Sequence, residues 1–199
     1  MIWFLIYFGG LMKKEILRKS FHIIFGTIFL ALIWLAGTWT SFEIILGCLV
    51  IGTLISMAMR KGWDIPFLGK LVEFVERPNE RHFPGKAAVL FFVSALLLLF
   101  LFRNTPLIAL AALSVQVYAD AAAALIGKPF GKHKIYHRKS VEGTLACLIV
   151  AFICLQFFLP LHIAIMGAVV ATAIEVLPFD DNLWVPIGTG AAIKALLMI

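Results

Sequence analysis

An all-α, polytopic transmembrane helical bundle of about seven spans (six to eight), with cytoplasmic loops carrying the functional residues, is the fold this sequence predicts. Three observations point to it. Apolar residues make up 62% of the 199 and charged residues only 14%, far from the composition of an ordinary soluble domain. Apolar stretches of sixteen residues or more recur along the chain, each near the length that crosses about 30 Å of hydrocarbon. The basic residues are also gathered: of 17 Lys and Arg, 15 lie in segments 13–19, 60–86 and 128–139. Residues 1–199 read as a single integral-membrane domain.

The elements follow in order. Residues 1–12 are apolar, but no positive residue precedes them and no small-residue cleavage site follows. They read as a short first span or an interfacial helix rather than a signal peptide. The later spans are 21–37, 41–59, 87–102, 106–126, 141–159, 161–178 and 184–199. Alternating them places every basic segment on one side, which the positive-inside rule assigns to the cytoplasm. The linkers 38–41 and 159–161 carry no basic residue, and the turn 179–183 falls on the basic side. In the longest loop, Pro66 opens a helix with Leu68, Leu71, Val72 and Val75 on one face and Lys70, Glu73, Glu76 and Arg77 opposite. With Trp63 ahead of it, this pattern predicts a helix lying in the headgroup plane. Cys48, Cys147 and Cys154 fall inside spans at no metal spacing and read as small apolar residues.

The net charge of +6 therefore marks topology and an anionic ligand. Membrane-flanking basic residues without a nucleic-acid module argue against DNA or RNA as partner. No internal repeat suggests a transporter of duplicated halves.

The segment Asp120 to Gly143 concentrates the chemistry. An acid inside an apolar helix is costly, about 2.5–3.5 kcal/mol on insertion scales, so it faces a cavity and has a partner. Asp120 and Glu175 are such acids, and Asp181 and Asn182 add oxygens at the same level. Carboxylates converging from separate helices suit Mg²⁺, which takes one or two of them plus substrate phosphates. The loop after Asp120 supplies cations in Lys128, Lys132, Arg138 and Lys139, and close backbone approach at Gly127, Gly131 and Gly143. Ser140 can cap the next helix, whose start also favours an anion. The run Gly127 to Lys132 is one residue short of a P-loop and has His133 where Ser or Thr belongs. Lys14, Arg18 and His22 form an i, i+4, i+8 stripe entering the membrane from the same side, and Lys86 stands at another helix entrance. His133 and His137 are poor metal ligands in so cationic a loop. Glu43 and His162 read as interfacial residues of the far side.

Four separated motifs resemble one family. Glu15-Ile-Leu-Arg18-Lys19-Ser-Phe-His22-Ile-Ile-Phe-Gly26 is similar to the opening motif of the CTP-dependent lipid kinases, among them dolichol kinase, phytol kinase and the yeast-type diacylglycerol kinase. Phe83-Pro84-Gly85-Lys86, the Asp120 to Gly143 block, and Glu175-x-Leu-Pro178-x-Asp180-Asp181-Asn182-Leu-x-Val-Pro186 resemble its other motifs in the same order, from residue 15 to about 190. The resemblance implies CTP as phosphoryl donor and an isoprenoid or other lipid alcohol of the dolichol, polyprenol or phytol type as acceptor. It implies catalytic roles for Asp120, Lys139, Arg18 and Glu175, with Mg²⁺ held by Asp120, Asp181, Asn182 and Glu175. Nucleotide contacts fall to Gly127, Lys128, Gly131, Lys132, Ser140, Glu142, Gly143, Lys19, His22 and Lys86. Which of Asp120, Glu175 and Asp181 accepts the hydroxyl proton stays open, as do the alcohol and the oligomeric state. Gly127 to Gly143 also resembles a segment of the phosphatidate cytidylyltransferases, but their Gly-His-Gly-Gly signature is missing. A small transporter with a charged cavity fits less well, because the charges gather on one leaflet.

Overall fold

The computed structural model describes residues 2–63, 65, 84–136 and 139–198, with residues 2–11 described by their backbone alone. Among these residues the chain is all-helical, with six helices: α1 (Ile2–Arg60), α2 (Lys86–Leu101), α3 (Pro106–Phe130), α4 (Val141–Gln156), α5 (Leu161–Val176) and α6 (Asp181–Leu196). The only sheet-type pairing among the described residues is an isolated antiparallel bridge between Lys134 and Ser140, which closes the α3–α4 loop on itself.

Local chemistry sets the ends of these helices. Pro106 occupies the first turn of α3, where its missing N–H costs nothing. Ser140 stands extended before α4 and its Oγ accepts a hydrogen bond from the Gly143 amide at 3.3 Å, as an N-cap should. Inside α3 the turn Val115–Ala119 is π-helical. Such one-residue insertions rotate the side chains beyond them and recur at functional sites; here the next residue is Asp120.

Helix α1 is bent. At Gly37 the backbone leaves the helix with φ 80 and ψ 175, and the Ser41 hydroxyl donates to the Leu32 carbonyl at 3.1 Å. Nine residues of straight helix would separate these groups by about 13 Å, so the chain turns back at this point. The positive φ there favours glycine.

Helix α3 is the central post, contacted by α1, α2, α4 and α6, while α4, α5 and α6 pack in sequence around one side of it. Ala109, Ala111, Ala112, Val115, Val117 and Ala119 on α3 are fully buried. Their small size brings the neighbouring helices close. The outer faces remain apolar, with Trp34, Leu35, Trp39, Ile51, Leu54, Ile149 and Phe157 all more than half exposed. So large an uncovered apolar surface marks a membrane or partner contact rather than a water-facing one.

The expectation of about seven spans is overturned. Two helices among the described residues, α1 from Met12 to Arg60 and α3, are long and apolar enough to cross a membrane. The predicted spans 21–37 and 41–59 fall on two helical arms of α1 that part at the non-helical Gly37, and residues 2–11 begin the first of these arms rather than forming a separate span. Helices α2, α4 and α5 are apolar but 16 residues long. At 1.5 Å per residue this is about 24 Å, short of the hydrocarbon thickness. The sequence windows for α4 and α5 were longer because residues ending those helices, such as Leu177 and Pro178, were counted as apolar span. The predicted headgroup-plane helix from Pro66 to Arg77 lies outside the described residues, as do Arg81, His82, Phe83, His137 and Arg138.

At Gly37 an added Cβ meets no atom within 4 Å, so the penalty of Gly37→Ala is purely conformational. It should lower stability by about 1 kcal/mol in chemical denaturation of the detergent-solubilised protein. Gly47→Ala, which is helical and also has open space, should not lower it.

Candidate functional site

Two lysine–carboxylate groups, one around the buried Lys19 and one around the half-buried Lys139, organise the site. Lys19 on α1, 2% exposed, pairs through Nζ with Oδ2 of Asp120 on α3. His22, one turn further along α1, places Nε2 3.7 Å from the same Asp120 oxygen and 3.1 Å from the Gln116 carbonyl. On the other side Lys139, in the α3–α4 loop, reaches two acids at once: it donates to Glu175 Oε1 on α5 and to Asp181 Oδ2 on α6 at 2.9 Å. Each buried carboxylate thus meets an ammonium from a different element, the condition under which such a charge is tolerated away from water.

Two cavities share a wall made by Asp120 and Asp181. The first, about 120 Å³, is lined on its far side by Arg18, Lys19, Asp180 and Asn182. The second, about 180 Å³, is lined by Lys128, Lys139, Ser140, Thr144 and Glu175. Acids separated by 61 positions in the sequence therefore meet at one place, as the sequence predicts. Among the predicted residues, Asp120, Asp181, Asn182, Glu175, Arg18, Lys19, Lys128, Lys139, Ser140, Gly127 and Gly143 all line one cavity or both.

Other predicted residues fall elsewhere. Glu142 turns to the exposed His133, accepting from its backbone amide at 3.2 Å and lying 2.8 Å from Nδ1, and lines neither cavity. Lys132 is exposed on the loop. Lys86 sits at the rim, 3.0 Å from Asp180 Oδ2. His22 stands behind Asp120 rather than in a cavity.

The glycines have a different job from the one expected. A Cβ at Gly131 would collide with the Gly127 carbonyl and the Ser140 side chain, and one at Gly143 would lie 2.9 Å from both Ala123 O and Gly127 Cα. These residues let α3, its loop and α4 touch backbone to backbone. Phosphate approach is left to the side chains around them.

Sequence reasoning missed four contributors. Glu15, 8% exposed, holds Arg18 and Lys128 at 2.5 Å each; the sequence marks it only as the first residue of the opening motif, with no role of its own. Gln116, fully buried, donates through Nε2 to Asn182 Oδ1 at 2.8 Å, and a lone amide in an apolar run was its only signal. Asp180 and Thr144 also line the cavities; Asp180 lies in the fourth motif without a role assigned to it, and nothing in the spacing marks Thr144.

The charge state follows from burial and pairing. Burial alone would lower the Lys139 ammonium, but the Asp181 and Glu175 carboxylates outweigh it and hold its pKa above the usual range. For Asp181 burial wins over the attraction of Lys139 and pushes the carboxyl up to about 6. Among the described residues no three His, Cys, Asp or Glu side chains gather as a metal-binding group. Asn182 Oδ1 is engaged by Gln116 and Glu175 Oε1 by Lys139. Asp120 Oδ2 is likewise paired with Lys19 and Asp181 Oδ2 with Lys139, so the described residues form no preformed cation cage.

No family model, curated protein or solved structure matches the chain.

Two outcomes test this geometry. Gly131→Ala forces backbone and Ser140 apart and should cost about 1–3 kcal/mol in thermal or denaturant unfolding. The raised pKa of Asp181 means that the fold favours its protonated form. That contribution is complete below the ordinary carboxyl pKa of about 4 and is lost as pH rises through about 6. Asp181→Asn removes the loss, so its melting temperature should climb relative to the native chain between about pH 4.5 and 7. A difference independent of pH would contradict the burial of this carboxyl.

Proposed function

We propose that the chain is a membrane-embedded lipid kinase that transfers the γ-phosphoryl group of CTP to a membrane lipid alcohol of the dolichol, polyprenol or phytol type. The observation that carries this reading is the shared Asp120–Asp181 wall, flanked by Arg18 on one side and by Lys128 and Lys139 on the other. Acids for a cation and ammonium groups for phosphates in one place are the two halves of a nucleoside triphosphate site. The choice of CTP and of a lipid alcohol comes from the likeness of the four motifs to the CTP-dependent lipid kinases.

Helices α1 and α3 enter the membrane, with the shorter apolar helices packed on them, and the site faces the cytoplasm. That orientation accords with the exposed Lys13, Lys14, Lys61, Lys132 and Lys134.

The residues divide the work. Asp120 and Asp181 would hold Mg²⁺, which supplies charge neutralisation on the phosphate oxygens. Arg18, Lys128 and Lys139 carry the remaining phosphate charge. Glu15 aims two of these cations, Arg18 and Lys128, with one carboxylate. Ser140 and the start of α4 offer a hydroxyl and backbone dipoles at the same level. The transition state of phosphoryl transfer is loose, so fixed charges and positioning supply most of the rate. Burial of Lys19 and Lys139 fixes those charges before the nucleotide arrives.

Purified protein given γ-labelled CTP, Mg²⁺ and mixed long-chain alcohols should yield labelled lipid phosphate. Asp120→Asn and Lys139→Ala should each lower turnover by about 10²-fold or more while the protein still elutes and melts as a folded species. Release of pyrophosphate with formation of a CDP-lipid would replace the kinase reading with cytidylyl transfer. No lipid product of either kind would overturn both.

A further inference from the structure

We infer that the inner end of the second cavity is the subsite for the acceptor's hydroxyl group, with Glu175 accepting its proton and Thr144 fixing its oxygen. This inference rests on the kinase reading and names which acid serves the alcohol.

Glu175 is 3% exposed, yet its Oε2 has no hydrogen-bond partner among the described residues; Thr144 Oγ1, which lines the same cavity, is likewise buried and unpartnered. An unpaired carboxylate oxygen in a buried wall is costly, and native structures keep such atoms where something else completes them. The missing partner must donate to Glu175, and it can accept from the Thr144 hydroxyl. A hydroxyl group does both with one oxygen. A phosphate oxygen at neutral pH could do only the second, and two anions would repel.

The other acids are less suited. Asp120 is committed to Lys19 with His22 behind it, and Asp181 is bound to Lys139 and partly open to solvent. Glu175 also has the position a lipid requires. It ends an apolar helix, with Ala168, Ala171 and Thr172 buried on the preceding turns, whereas Lys128 stands on the solvent side, 40% exposed. Lys139 joins Glu175 to Asp181. The phosphoryl group next to Lys139 and a hydroxyl on Glu175 are therefore neighbours.

In the transfer the hydroxyl oxygen forms a bond to the γ-phosphorus as its proton passes to Glu175 Oε2. The bond from that phosphorus to the bridging β–γ oxygen breaks, and CDP leaves with its electron pair. Lys139 keeps Glu175 Oε1 and so orients the free oxygen.

Two measurements test this. In the kinase assay Glu175→Gln should lower kcat by about 10²–10⁴-fold with the KM for CTP unchanged, and Glu175→Asp should restore part of it. Thr144→Val should raise the KM for the alcohol by about tenfold and leave that for CTP alone. In the binding assay, tritiated farnesol and its methyl ether are compared on the purified protein without nucleotide. The native chain should prefer the alcohol, and Thr144→Val should erase the preference even if the Glu175 variants fail to fold. Preference for the alcohol without any phosphoryl transfer would overturn the kinase reading and leave the subsite standing. Transfer by the native chain with Glu175→Gln as fast as native, or with no preference for the alcohol, would overturn the subsite alone.

Discussion

Everything at this site depends on one constraint: carboxylates taken out of water must be matched by cations from another part of the chain. Lys19 and Asp120 are 101 residues apart in sequence and form such a pair. Lys139 meets Glu175 and Asp181 across the opposite wall. Removing one member of a buried pair typically costs about 3–5 kcal/mol, because the remaining charge is stranded. The pairs consequently fix how α1, α5 and α6 sit against α3, and they hold a set of charges in place that a phosphate-bearing ligand would otherwise have to gather. Such pairs are weak contributors to net stability. They line the walls of the two cavities, where the proposed ligand would meet them.

Backbone geometry delivers the charges to that place. The π turn at Val115–Ala119 leads directly into Asp120, and the contacts of Gln116 tie the same turn to His22 on α1 and Asn182 on α6. Past Asp120, Gly127, Gly131 and Gly143 close α3 onto α4. That contact brings Lys139 back to the acids on α5 and α6. A side chain at Gly131 or Gly143 would meet backbone at under 3 Å and force this contact apart.

Much of this was legible in the sequence, for a physical reason. A charged residue in an apolar run is so improbable that Asp120 and Glu175 announce themselves, and the cations that answer them lie in the few basic segments. The boundaries of α2 to α6 were readable to within about four residues, while residues 13–20, read as a charged flank, proved to be part of α1. The number of spans was not, because hydropathy cannot distinguish a 16-residue buried helix from a crossing one. Glycine spacing suggested phosphate approach, but the same spacing serves close helix packing, and only coordinates separate the two. Glu15, although it opens the first motif, had no assigned role because sequence spacing does not show which cations a lone acid in a basic segment will hold. Gln116 gave no pattern at all, since its role depends on a π turn that no periodicity predicts.

The central claim is that these matched charges are a seat for a metal-bound nucleoside triphosphate. Equilibrium binding of CTP to the purified protein, titrated with and without Mg²⁺ and repeated on Asp181→Asn, tests it without relying on turnover or on the identity of the lipid. The account predicts saturable binding that strengthens with Mg²⁺ in the native chain and loses most of that dependence in the variant. Binding indifferent to both the cation and Asp181, or no binding at all, would contradict it.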